Sequence, residues 1–177
     1  MELKTKFFGT PTTVDDLQPG DLFLADGFDR RLLVFHGMNG NKKHFCVLRG
    51  WKKSDSDEYP YGIVEGVLSN YVLRKITGEL ELRIGSSHED AVSVPKMAQP
   101  TSVLNGQIFV LPSGAQLLRA DDDYTAYFWD ISTGANTDVT TVRRAIVIDQ
   151  WQLVWRDDED EVVLCEHKQP SALAHVI

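Results

Sequence analysis

One short string occurs twice in this chain and constrains what it can fold into. Leu17-Gln-Pro-Gly-Asp-Leu-Phe-Leu24 returns, altered, as Val103-Leu-Asn-Gly-Gln-Ile-Phe-Val110. Each copy places an apolar residue three positions before a Gly, then a polar residue, an aliphatic one, Phe and a second aliphatic. Gly supplies the backbone freedom of a sharp turn, and the apolar run behind it reads as a strand entering a core. From Gly20 to Gly106 is 86 positions in a chain of 177. The recurrence predicts two copies of one β-unit.

The rest of the chain reads as strands separated by turn formers. Strand signals cover 21–25, 31–36, 44–49, 62–68, 71–76 and 79–84, then 107–111, 116–119, 124–131, 142–149, 151–156 and 161–166. The segment 79–84, Glu-Leu-Glu-Leu-Arg-Ile, alternates polar and apolar residues as a half-buried strand does. Thr77-Gly78 is short enough to be the tip of a hairpin, and 157–160 joins 152–155 to 162–165 as another. Helix is expected only as single turns, near Val14 to Leu17 and at 171–176. Lining up the two series sets Leu32-Leu33 opposite Leu117-Leu118, and Ile63-Val64 opposite Ile146-Val147. It also sets Leu73 opposite 153–154 and Leu82 opposite Leu164. Residues 86–104, polar and carrying Pro95 and Pro100, read as a stiff linker. The expected organisation is therefore an all-β protein: a first unit at 1–85, a linker at 86–104 and a second unit at 105–177.

Five or six short strands per unit, opened by Leu17-Gln-Pro-Gly-Asp-Leu-Phe23, resemble the SH3-like small barrels. Val103 to Phe109 carries the same resemblance more weakly, with Leu104-Asn-Gly in place of Gln-Pro-Gly. The resemblance is one of fold and implies two tandem small barrels from an internal duplication, with very little helix. The same Leu-x-Pro-Gly-Asp string opens a strand in cell-wall Cys peptidases, which need a nucleophilic Cys upstream of it; residues 1–18 contain none.

Charge divides the halves. Residues 1–90 hold 12 basic against 14 acidic side chains, a net of −2, and residues 91–177 hold 6 against 12, a net of −6. The two cysteines, Cys46 and Cys165, lie far apart and form no disulfide framework, which points to a reducing compartment. No stretch approaches the roughly 20 apolar residues of a membrane span. A cytoplasmic protein with no membrane partner is expected.

Four constellations carry the candidate chemistry. Ser86-Ser-His-Glu-Asp90 holds triad letters, but neighbours along a polar linker do not converge on one substrate atom. His36, His44 and Cys46 would share a face if a hairpin set His36 opposite His44, giving two imidazoles and a thiolate suited to zinc. With no fourth ligand evident, no metal and no cofactor are expected. From 30 to 53, Arg30, Arg31, Lys42, Lys43, Arg49, Lys52 and Lys53 run without an Asp or Glu between them, and Trp51 lies among them. Cations beside aromatics hold phosphates and stack bases, so this run is the candidate nucleic-acid face. Its bland counterpart is a solvated hairpin neutralised by Asp26, Asp29 or 55–58. Opposite in sign, Asp157, Asp158, Glu159, Asp160 and Glu161 cap a hairpin in the half that also holds Trp129, Trp151 and Trp155. Trp is enriched at binding hot spots, so these eight residues are the candidate site for a protein partner with a basic surface.

With no nucleophile elbow, phosphate loop or His-Glu-x-x-His helix, the sequence reads as a binding or assembly module rather than an enzyme. The alternatives are nucleic-acid binding through the basic run, or an acidic inhibitor that occupies the nucleic-acid site of another protein.

Overall fold

The computed structural model describes residues 9–27, 30–52, 61–64, 67–85, 106–121, 125–137, 145–148, 150–156 and 160–168. The expected linker at 86–104, the acidic residues Asp157, Asp158 and Glu159, and the turn at 171–176 lie outside them. Within them the protein is all-β with a single 3-10 turn at Val67–Asn70. The strands are β1 (Thr10–Thr12), β2 (Leu22–Asp26), β3 (Arg30–Asn39), β4 (Lys42–Lys52), β5 (Gly62–Val64), β6 (Val72–Lys75) and β7 (Glu79–Ile84). The second series is β8 (Ile108–Val110), β9 (Gln116–Asp121), β10 (Ala126–Asp130), β11 (Ile146–Ile148), β12 (Gln150–Arg156) and β13 (Glu161–Lys168). They form three antiparallel sheets, ordered β1-β6-β2-β3-β4-β5, β10-β9-β8-β11 and β13-β12-β7. Among the described residues no sheet closes on itself, so the expected pair of closed barrels is replaced by open sheets. No helix there is long and apolar enough to cross a membrane.

The two larger sheets share one plan. In the first, β2, β3 and β4 form a meander and β6 returns beside β2; in the second, β8, β9 and β10 form the meander and β11 returns beside β8. The turn before each meander is held in the same way. Gly20 N–H donates to the His36 carbonyl (2.8 Å) and His36 N–H to that of Asp21 (2.9 Å). Gly106 N–H donates to the Arg119 carbonyl (2.8 Å) and Arg119 N–H to that of Gln107 (3.0 Å). Both glycines need positive φ, 89° and 83°, which a side chain resists. The packing beneath repeats too. Phe23 meets Phe45 edge-on at 5.8 Å with the His36 ring 5.1 Å from Phe45. Phe109 meets Phe128 at 5.4 Å with the Arg119 guanidinium 5.6 Å over Phe128.

These matches correct the residue alignment read from sequence. Val34-Phe35, not Leu32-Leu33, stands where Leu117-Leu118 stands, because hydrogen bonds fix His36 against Arg119. The counterpart of β11 is β6, not β5, since each pairs with the strand that follows the repeated Gly turn. The segment 135–137 takes the place of β5: Asn136 bridges to Trp129 as Ile63 pairs with Cys46. Tyr61 and Gly134, each just before those segments, both have positive φ, 63° and 68°. The sequence signal failed here because short aliphatic pairs align equally well at several offsets.

The halves meet in a seam with two-fold character. Tyr61 covers Gly106, while Gly134 covers Gly20, so each repeated turn packs on the other unit. His44 and Tyr127, counterparts in β4 and β10, meet each other edge-on at 4.9 Å. Strands β7 and β12, each following its unit's return strand, pair antiparallel with Leu82 opposite Leu153. Side-chain volume is exchanged across the seam: Trp129 stands where the first unit has Cys46, and Gly134 where it has Tyr61. The indole of Trp129 lies over Gly37, where a Cβ would come within 2.6 Å of it, and close packing leaves no room for two large residues at matched positions.

One consequence is that Thr77-Gly78 is a crossover between sheets rather than a hairpin tip. Strand β6 pairs with β1 and β2, whereas β7 leaves for β12. Trp155 Nε1–H fixes the departure by donating to the Thr77 carbonyl at 2.8 Å. Another is that the largest core cluster draws on both series: Leu22, Leu33, Phe35, Cys46, Leu48 and Ile76 pack with Ile108, Leu118, Trp129, Trp151, Leu153, Trp155 and Cys165. Two smaller clusters lie under the other faces, one around Phe23, Val34, Phe45 and Leu73 and one around Phe109, Leu117, Phe128 and Val147. Strand pairing and core thus cross the stretch read as a linker.

Candidate functional site

The hairpin of β3 and β4 decides the histidine and cysteine constellation. Its two-residue tip, Gly40-Asn41, sets Asn39 opposite Lys42 and therefore His36 opposite Phe45. His44 falls opposite Gly37 and Cys46 opposite Phe35. Paired residues share a face and neighbours alternate, so His36 points away from His44 and Cys46. The assumed pairing of His36 with His44 would need a tip of different length. His36 lies over Phe45 on the outer core of the first unit, with no exposure, and burial holds its pKa below the ordinary 6.5. His44, 2% exposed, packs on Tyr127 and Trp129 in the seam. Cys46 is fully buried, and burial pushes its thiol pKa far up. Cys165 approaches it from β13 and donates to the Leu48 carbonyl at 3.7 Å. Among the described residues no three His, Cys, Asp or Glu side chains gather closely enough to hold a metal ion.

The basic run is dispersed by the same alternation. Lys42 and Lys43 occupy successive positions of β4 and point to opposite faces. Lys43 Nζ donates to the Val14 carbonyl (3.0 Å) and lies 3.9 Å from Asp15. Arg31 pairs with Asp26, the neutralisation anticipated for a solvated hairpin. Arg49 and Lys42 are likewise engaged. Arg30 and Lys52 stand opposite each other, as do Arg31 and Trp51; Lys53 lies outside the described residues.

The tryptophans are core residues. Trp129, Trp151 and Trp155 are 0%, 3% and 5% exposed, so their rings are not offered to a partner. Trp151 Nε1–H donates to the Gly106 carbonyl at 2.7 Å, and its ring stacks on His167, whose Nδ1 lies 2.7 Å from the Tyr61 hydroxyl.

The polar surface nearest the predicted partner site is the outer face of β13-β12-β7. Glu81, Arg83, Arg156 and Glu161 close a ring there. Arg83 donates both terminal nitrogens to Glu161 at 2.7 Å, Arg156 Nε donates to Glu161 at 3.0 Å, and Arg156 and Arg83 reach Glu81 at 2.9 and 3.3 Å. Hydrogen bonds from Arg83 hold the Glu161 carboxyl below its usual range, and Glu161 in turn raises Arg83. Beside it Lys168 and Gln152 both reach Glu166 at 2.8 Å, and that carboxyl is lowered, chiefly by Lys168. Glu161 is therefore a strut of the fold as well as the end of an acidic loop. Asp160 is partly exposed and engaged; Asp157, Asp158 and Glu159 lie outside the described residues. The alternation of 79–84 marks one polar side of that strand, but the ring depends on β7 lying beside β12, which the sequence did not disclose.

No protein-family model, no curated protein and no solved structure matches this chain.

Proposed function

We propose that the chain is a non-catalytic binding or assembly module, built from two copies of one SH3-like β-unit joined along a shared core. The observation that supports binding over catalysis is where the reactive side chains go. Among the described residues every histidine and cysteine, namely His36, His44, Cys46, Cys165 and His167, is no more than 8% exposed, so none is presented at the surface. The surface partner site is the 157–161 loop with the adjoining face of β12 and β13. Its recognition is electrostatic, because the tryptophans once expected to anchor it are enclosed. A basic protein partner fits that charge, and an inhibitor that fills another protein's nucleic-acid site is the variant of the same reading.

Recovery of partners from lysate, with and without nuclease, tests this. Neutralising Asp157, Asp158, Glu159 and Asp160 together, while leaving Glu161 to Arg83 and Arg156, should slow association in a salt-dependent way. Changing Lys42, Lys43, Lys52 and Lys53 to Gln should leave it intact. Capture lost with nuclease or with the lysine changes, and indifferent to the acidic ones, would return the site to the basic run and to nucleic acid.

A further inference from the structure

We propose that β7 is a homodimerisation edge, onto which a second copy of this chain adds its own β7 antiparallel, about a two-fold axis at Leu82. Strand β7 is the outer strand of β13-β12-β7 among the described residues. Gly85 N–H donates to the Gln150 carbonyl at 2.9 Å. In an antiparallel ladder the bonded positions alternate. Glu79, Glu81 and Arg83 therefore turn their backbone groups toward β12, and Leu80, Leu82 and Ile84 turn theirs outward.

The same three leucine and isoleucine positions share the core-facing side of the strand, yet two of them are uncovered. Leu80 is 38% and Ile84 48% exposed, while Leu82 packs against the central cluster. An exposed apolar edge strand is a template for pairing with another chain.

Charge chooses the occupant and the register. Outward backbone groups at Leu80, Leu82 and Ile84 allow three centred pairings of β7 with itself. Placing Leu82 opposite Leu82 of the partner subunit sets Leu80 opposite Ile84 of the partner subunit, which covers both exposed side chains. It also sets Glu81 opposite Arg83 of the partner subunit, twice, on the polar face. A shift of two residues one way faces Glu81 with Glu81 of the partner subunit; the other way it faces Arg83 with Arg83 of the partner subunit. Like charges directly opposite destabilise a strand pair. The register that faces Glu81 with itself also sets Glu79 opposite Arg83 of the partner subunit, but the first register alone sets opposite charges face to face with no like-charge pair. Arg83 also bonds Glu161, but the changes that test the dimer fall on Leu80 and Ile84 and those that test the acidic site leave Glu161 in place, so either reading can fail alone.

Sedimentation of the full chain over a concentration series tests the proposal. The result expected is a reversible monomer–dimer equilibrium. Leu80→Lys with Ile84→Lys sets lysine opposite lysine at two places and should weaken dimerisation by about tenfold or more. Leu80→Lys with Ile84→Glu removes the same apolar surface but sets opposite charges across the axis, and should dimerise more tightly than the double-lysine chain. A chain monomeric at every concentration, as when other residues of the same chain already cover β7, would overturn the proposal. So would a dimer indifferent to both variants.

Discussion

Gly106→Ala is the substitution whose cost is most directly readable from the seam, and Gly114→Ala is its control. The two glycines have nearly the same backbone, φ 83° and 87°. A Cβ at Gly114 meets nothing within 4 Å, whereas one at Gly106 lies 2.2 Å from Tyr61 Cζ and 2.8 Å from His167 Cε1. Alanine in the left-handed region costs about 1–2 kcal/mol, and any gain from stiffening the unfolded chain is common to both variants. Forcing a methyl into a packed seam adds about 1–3 kcal/mol. Gly106→Ala should therefore exceed Gly114→Ala by that second amount, against a total stability of about 5–15 kcal/mol. Urea unfolding followed by tryptophan fluorescence reads the difference as about 0.5–1.5 M between midpoints at unchanged slope. Adding Tyr61→Ala to Gly106→Ala should cost less than the sum of the two single changes, because the clash is with that ring. A Gly106→Ala chain within about 0.5 kcal/mol of Gly114→Ala, well below the clash cost, would refute the seam as described.

Two further outcomes follow from buried groups. Cys46 and Cys165, 0% and 2% exposed, should resist a thiol reagent in the native protein and react together when urea unfolds it, since only the thiolate is nucleophilic and burial suppresses it. His36 has a folded pKa below its ordinary 6.5 because burial disfavours the charged ring. The unfolded chain then binds the proton more readily, so stability is fully present above pH 6.5 and declines as pH falls through the folded value. Unfolding midpoints measured from pH 8 to 5 should show that decline, and His36→Gln should flatten it; an unchanged slope would place its cause elsewhere. The lowered carboxyls of Glu161 and Glu166 act in a separate, more acidic window, at and below their ordinary 4.5.

Much of the fold was legible because strands announce themselves locally. The period-two run at 79–84, the Gly turns at 20 and 106, and the hairpin of β12 and β13 all follow from neighbours along the chain. What was not legible is set by partners distant in sequence. Nothing near Thr77-Gly78 tells β7 to leave β6 for β12; the cause is Trp155, 78 residues on. Nothing near His36 and His44 separates them except the two-residue tip between β3 and β4. Trp129, Trp151 and Trp155 illustrate the general difficulty, since a large aromatic suits an interface and a core equally well. Only the seam, with Gly37 beneath one indole and carbonyls waiting for the other two N–H groups, decides for the core.

Cleavage of the folded chain between the two strand series tests the central structural claim most directly. A specific protease site placed within 86–104 and cut to completion leaves the fragments joined by non-covalent contacts, among them the β7·β12 pairing and the shared cluster of Phe35, Trp129, Trp151 and Cys165. The two fragments should elute together under native conditions and unfold in one cooperative transition. Fragments that separate without denaturant, each keeping its own β-rich spectrum and its own transition, would contradict a common core.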